Sequence, residues 1–270
     1  MAGIDLVVTD LDGTLWDGGE RIHQRTLAAL SELANRRLPL LVATGRRPRS
    51  ASVGLARNGL APPAVLLDGA LGRDLDDGRV FHEHGFPSSD AETVLAAFVE
   101  GGLSPCVYVE RPDVDVVIGA DPSTCASHLR MLGPWASTGE LRRTVASGPV
   151  YAFAVCGRPW QVLRPCADLI QATGVATAAV TRDVLHGNAT LMVRPMGMSK
   201  WAGVLAFCAE QGLDADRVLA IGDGENDVEL LSGARISCVV SDGCAAALAL
   251  ADHVIEPACD GGWCQILDLV

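Results

Sequence analysis

The sequence predicts a doubly wound, Rossmann-like α/β core with a mostly parallel sheet, interrupted by an inserted α+β domain. Three observations carry this reading. Short β-branched apolar runs alternate with helix-period segments near both ends of the chain. Between them, residues 85–187 switch to a mixture of helices and alternating strands. Acidic residues and glycines follow several of the apolar runs, where open α/β sheets bind their ligands.

Residues 4–9 form the first apolar run and end in Asp10-Leu11-Asp12-Gly13. Residues 24–37 carry Leu27, Leu30, Leu33 and Ala34 at helical spacing. Residues 39–43 read as a second buried strand ending in Thr44-Gly45-Arg46, followed by a helix over 49–58 that Gly59 closes. Residues 64–67 make a third strand, ending in Asp68-Gly69. Such alternation predicts parallel strands joined by right-handed crossovers. After residues 80–86 the sequence Pro87-Ser88-Ser89-Asp90 reads as a linker and helix start. The insertion then supplies helices at 91–100, 124–132 and 160–172, and strands at 105–110, 113–118, 150–156 and 176–181. The first style returns near Thr190, with a helix over 198–211, a buried strand over 217–221, a strand over 236–240 and short elements to residue 255. The expected division is therefore 1–84 and 188–270 for the core and 85–187 for the insertion.

With 270 residues, 49% hydrophobic and 20% charged, the chain is long and apolar enough for buried cores and is not disordered. A net charge of −12 repels polyphosphate backbones, which argues against nucleic acid as a partner. No apolar stretch approaches the roughly 20 residues of a membrane span. The first apolar run stops at Asp10, so no leader peptide is expected. Nine cysteines without a CxxC pair point to reduced, mostly buried thiols and a cytoplasmic setting. Oligomeric state leaves no readable mark. Lys200 is the single lysine among 21 basic residues.

Asp10, Asp12, Thr44, Asp223 and Asp227 all fall just past predicted strands, so the fold gathers them in one crevice. Carboxylates placed together repel unless a cation joins them. Oxygen donors without histidine or cysteine suit a hard ion, Mg²⁺ first. A carboxylate can attack phosphorus to form an acyl phosphate. A second one, two residues on, can protonate the leaving alkoxide and then activate water. Thr44, its neighbouring backbone N–H groups and Lys200 can hold the phosphoryl oxygens.

Separately, these segments are weak signals. Asp-x-Asp-Gly resembles the start of a calcium loop, yet Arg21 stands where that loop needs its glutamate. Thr44-Gly45-Arg46 alone reads as a helix start, and Gly222-x-Gly lacks the third glycine of a dinucleotide loop. Together and in order, Asp10-Leu11-Asp12-Gly13-Thr14, Thr44-Gly45-Arg46, Lys200 and Gly222-Asp223-Gly224-Glu225-Asn226-Asp227 resemble the four motifs of the haloacid dehalogenase-like (HAD) phosphatase superfamily. The insertion after the second motif resembles the C2-type cap of its Cof-like, IIB branch. Over the cap the likeness is one of topology alone.

That resemblance implies Asp10 as nucleophile and Asp12 as general acid/base. It implies Mg²⁺ held by Asp10, the Asp12 backbone carbonyl and Asp223, with Asp227 holding its waters. Thr44, Gly45, Arg46, Lys200 and Asn226 become the phosphate and substrate contacts. Asp12 favours phosphate chemistry, because the dehalogenases of the superfamily lack an aspartate there. Asp68 departs from the branch, which commonly has asparagine. The expected activity is Mg²⁺-dependent hydrolysis of a small phosphomonoester, such as a sugar phosphate or related metabolite, through an aspartyl-phosphate. A sugar phosphomutase using the same chemistry, or a non-catalytic sugar-phosphate-binding regulator, are the alternatives. Trp16 and Asp17 are expected near the entrance. Arg182, His186 and Asn188 are the insertion's candidates for substrate contact.

Overall fold

The computed structural model describes residues 3–183 and 186–270; residues 1–2 and 184–185 of the expected domain ranges lie outside the described residues. The chain divides into two compact units, one formed by Met1–Glu83 and Ser199–Val270, the other by His84–Met198.

The first unit opens with β1 (Leu6–Thr9), α1 (Gln24–Asn35), β2 (Leu40–Ala43), α2 (Pro48–Arg57) and β3 (Pro63–Leu66). A hairpin of β4 (Leu71–Asp74) and β5 (Val80–Glu83) follows. These strands are apolar where they are central, because parallel strands are covered on both faces. All four residues of β1 are buried. Pro48 starts α2, where a missing N–H costs nothing.

The insertion comes next in the chain. It runs α3 (Ser88–Glu100), β6 (Cys106–Val109), β7 (Val116–Ile118), α4 (Ala126–Leu132), β8 (Ala136–Thr138), α5 (Leu141–Ala146), β9 (Val150–Arg158), α6 (Trp160–Ala172), β10 (Ala176–Arg182) and β11 (Ala189–Pro195). Its strands form a six-stranded sheet in the order β10-β11-β9-β6-β7-β8, antiparallel except between β7 and β8. Phe98, Phe153, Leu163 and Ile170 are fully buried in its own core. The expected return to the first unit at residue 188 is corrected here. Strand β11 pairs with β9 and β10, so the boundary falls near Ser199. The physical reason is that Leu191 and Val193, buried like core-strand residues, fill the insertion's interior instead.

The first unit resumes with α7 (Lys200–Gln211), β12 (Val218–Gly222), α8 (Val228–Gly233), β13 (Ile236–Val240), α9 (Ala245–Leu248) and β14 (His253–Ile255). Its sheet has eight strands in the order β14-β13-β12-β1-β2-β3-β4-β5. Pairing is parallel from β14 to β3 and antiparallel across β4 and β5. The chain leaves β1 toward β2 on one side and returns through β12 on the other. That reversal opens a crevice beyond the carboxyl ends of β1, β2 and β12. Leu6, Val8, Leu41, Val65, Val204 and Leu230 pack beneath it. Among the described residues no helix is long and apolar enough to cross a membrane.

Candidate active site

Beyond β1 the backbone turns sharply. The N–H groups of Thr14, Leu15 and Trp16 all donate to the Leu11 carbonyl, and Leu11 itself is buried. Gly13 sits at φ +83°, where a Cβ would lie 2.8 Å from Asp223 Oδ2. Only glycine combines that backbone with that contact. Thr14 donates from its hydroxyl to Asp223 Oδ1 at 2.9 Å, joining the first turn to the end of β12.

Lys200 opens α7, whose N-cap Ser199 accepts from the Ala202 N–H. Its ammonium donates to Asp10 Oδ1 at 2.6 Å and to Asp227 Oδ1 at 2.7 Å, with the side chain fully buried. The other Asp227 oxygen accepts from the N–H groups of Asp223 at 3.0 Å and Gly224 at 2.9 Å. Gly222 permits this fold-back, since a Cβ there would stand 2.6 Å from Asp227 Cγ. Asp227 is thus a fully occupied carboxylate that organises the loop after β12.

Thr44 follows β2. Its N–H donates to the Val65 carbonyl, its carbonyl accepts from Asp68 N–H, and its hydroxyl accepts from Arg46 N–H at 3.1 Å. Asp68 follows β3 in the left-handed region, φ +52°, an arrangement a non-glycine residue adopts at a cost. Its Oδ1 accepts from Asn226 Nδ2 at 3.0 Å, and Gly45 leaves room for it.

The electrostatics follow from burial. Burial pushes the Asp10 carboxyl well above the usual carboxylate range; Lys200 opposes this, and Asp227, Asp223 and Asp12 reinforce it. Burial, then Asp227, lifts Asp223 to about 7 against the Thr14 hydroxyl and Lys200. For Lys200 burial disfavours the charge, but Asp10 and Asp227 outweigh it and raise its pKa above the ordinary lysine value. The lysine is therefore held as a cation.

A divalent cation fits this set. One oxygen each from Asp10, Asp223 and Asp227 lie within 4.8 Å of one another. The donors are all oxygen, which suits Mg²⁺. The raised Asp10 and Asp223 values mark a site short of positive charge.

The structure thus brings Asp10, Lys200, Asp227 and Asp223 into one cluster. It places Arg46 on Asp12 and Asn226 on Asp68. Trp16 is fully buried and donates from its indole to Asp12 Oδ1 at 3.0 Å. Asp17 is tied into a turn by Gly19 and Arg21. His186 meets Ser127, and Asn188 meets the Gly157 carbonyl, both within the insertion. Sequence reasoning missed the roles of Thr14 and Glu20. Thr14 could have been found from its place in the first motif; Glu20 carried no signal.

The chain matches a family model described as haloacid dehalogenase-like hydrolase over residues 7–123 and 167–267. It is 26% identical over 254 residues to a phosphoglycolate phosphatase of Methanopyrus kandleri, covering 93% of this chain and 90% of that one. It is 28% identical over 229 residues to an HMP-PP phosphatase of Serratia proteamaculans, covering 84% and 80%. Among solved structures, a haloacid dehalogenase-like hydrolase from B. subtilis superposes with a TM-score of 0.82 at 14% identity, covering 98% of this chain and 99% of that one. A HAD subclass IIB sugar phosphatase superposes with a TM-score of 0.77 at 20% identity, covering 98% of both. Fold, ordered motifs and family match agree: the chain belongs to the haloacid dehalogenase-like hydrolases.

Proposed function

We propose that this protein is a Mg²⁺-dependent phosphohydrolase acting on a small phosphomonoester through an aspartyl-phosphate on Asp10. The observation that carries the reading is the fully buried Lys200 bridging Asp10 and Asp227 beside Asp223. Lys200 holds Asp10 by Oδ1 and so aims Oδ2 as the attacking atom. As the Asp10–phosphorus bond forms, the bond to the leaving oxygen breaks, and Asp12 gives that oxygen a proton. A water then attacks the same phosphorus and gives its proton to Asp12. Phosphate leaves and Asp10 is restored. The Thr44 hydroxyl, which accepts from Arg46 N–H, keeps its own proton for a phosphoryl oxygen. When bound, Mg²⁺ would neutralise charge on the phosphoryl oxygens; Asp10, the Asp12 carbonyl and Asp223 would hold it, and Asp227 its waters.

The relatives named for phosphoglycolate and HMP-PP hydrolysis, and the sugar phosphatase fold, support small phosphorylated metabolites as the substrate class. The nine free thiols support a reducing, cytoplasmic setting. The test is phosphate release from a panel of sugar phosphates, phosphoglycolate and HMP-PP, with Mg²⁺ and with EDTA. Release requires Mg²⁺, and Asp10→Asn abolishes it. Full activity in Asp10→Asn sinks the mechanism.

A further inference from the structure

Arg46 lies in the second motif, where a phosphate or substrate contact is the ready expectation. Its hydrogen bonds say otherwise. Nε donates to Asp12 Oδ2 at 2.6 Å and Nη2 to Asp12 Oδ1 at 2.6 Å, a two-pronged grip on one carboxylate. Nη1 donates to Glu20 Oε1, and to Ser50 Oγ at 3.3 Å. A guanidinium has five N–H donors, and four are spent. A forked hold on a phosphate is unavailable without releasing Asp12.

The surroundings are built around that grip. The Arg46 side chain is 8% exposed, against 32% for Asp12. Its Cζ lies 4.9 Å from the Trp16 ring centroid, and the Trp16 indole reaches past it to Asp12 Oδ1. Gly54 in α2 makes room for Trp16, since a Cβ there would lie 2.8 Å from the ring. Glu20, at φ +58°, is held by Asn58, which donates to the Glu20 carbonyl at 2.9 Å. Its second carboxylate oxygen accepts from Arg57 at 3.0 Å. The chain Arg57–Glu20–Arg46–Asp12 therefore includes a left-handed backbone conformation that non-glycine residues seldom adopt.

We propose that Arg46, backed by Glu20 and Trp16, is the positioning residue for Asp12, fixing the carboxylate that exchanges a proton with the leaving group and with water. This inference rests on the phosphohydrolase reading above. It divides labour between two cations of the site: Lys200 serves the nucleophile and Arg46 the proton-transfer group. A carboxylate free to rotate loses the alignment that proton transfer needs.

The test compares Arg46→Gln, Arg46→Lys and Glu20→Gln with wild type in saturating Mg²⁺. Substrates are 4-nitrophenyl phosphate, whose leaving group needs little protonation, and glucose 6-phosphate or phosphoglycolate, whichever wild type turns over faster. Tungstate binding is titrated calorimetrically on the same proteins. In Arg46→Gln, kcat on the alkyl ester falls about 100-fold, while kcat on the aryl ester falls less than about tenfold. KM and tungstate affinity hold. Arg46→Lys stays impaired on the alkyl ester, because lysine brings charge without the fork. Glu20→Gln shows the same split at smaller size, and it decides the matter if Arg46→Gln does not fold. Equal losses on both esters, full recovery in Arg46→Lys, or a tungstate affinity lowered about tenfold would overturn the proposal. The last result would make Arg46 an oxyanion contact. If wild type releases no phosphate from any ester, the phosphohydrolase reading fails separately, and tungstate titration still judges Arg46.

Discussion

Replacing Lys200 with methionine removes the only cation that contacts Asp10 and Asp227 among the described residues, while keeping a side chain of similar length. The two contacts, 2.6 and 2.7 Å, are fully buried. At an effective dielectric of about 20, each is worth about 6 kcal/mol in gross Coulomb energy. Desolvation has already consumed most of that. The net loss on removing one partner of a buried pair is about 3–5 kcal/mol, because the carboxylates left behind are uncompensated. For a chain of this size that lowers Tm by roughly 10 °C. The assay is thermal melting of Lys200→Met and wild type at pH 7, with EDTA and with Mg²⁺. The destabilisation is largest in EDTA and shrinks with Mg²⁺, which compensates the same carboxylates. A shift below about 2 °C in EDTA would refute the reasoning. It would mean that the carboxylates take up protons at no cost, so that Lys200 is energetically idle in the resting protein.

Three further outcomes follow from the same geometry. In EDTA the wild-type protein loses stability as pH rises from about 4 to about 7. Asp223, at about 7, and Asp10, also raised, keep protons in the folded state that the unfolded chain releases; melts in EDTA that show rising stability across this window contradict those values. Gly13→Ala forces a Cβ to within 2.8 Å of Asp223 Oδ2 at a φ of +83°. It costs about 1 kcal/mol or more, and it weakens Mg²⁺ binding, read by calorimetry. Asp68→Asn keeps the bond from Asn226 and removes a negative charge that acts on Lys200. Tungstate affinity in Mg²⁺ rises about fivefold, the equivalent of about 1 kcal/mol, and an unchanged or weaker affinity contradicts that account.

The parallel strands were legible because both their faces are buried, so residues 4–9, 39–43 and 217–221 read as apolar runs with abrupt polar ends. Elements that depend on their partners were not. Strand β4 reads Leu-Gly-Arg-Asp, with little strand character, and exists through pairing with β3 and β5. Helix α5 is six residues long and is capped by Glu140, whose carboxylate accepts from the Arg142 and Arg143 N–H groups in place of a usual capping residue. Residues 189–195, which carry no strand in the sequence reading and fall there on the first unit's side of the boundary, form β11 in the insertion, because a buried apolar pattern says that a segment is covered, not which sheet covers it. In the site, the carboxylates were legible because they lie in the turns that follow β1 and β12. Glu20 lies 26 positions from Arg46 in an irregular turn, so neither periodicity nor motif spacing could pair them.

The distribution of cations explains why Asp223 differs from its neighbours. Lys200 contacts Asp10 and Asp227, and Asp227 also accepts from two backbone N–H groups. Arg46 and Trp16 occupy both oxygens of Asp12. Asp223 accepts a single hydroxyl, from Thr14, and no cation lies in contact with it among the described residues. Unlike Asp10, Asp12 and Asp227 it has no contacting cation, and burial, then the charge on Asp227, lifts its pKa to about 7. A uniformly compensated cluster would give a divalent cation little to gain, since desolvating the ion must be offset by unmet negative charge. By committing Lys200 to Asp10 and Asp227, and Arg46 to Asp12, the chain leaves its deficit of positive charge at the end of β12, within reach of Asp10.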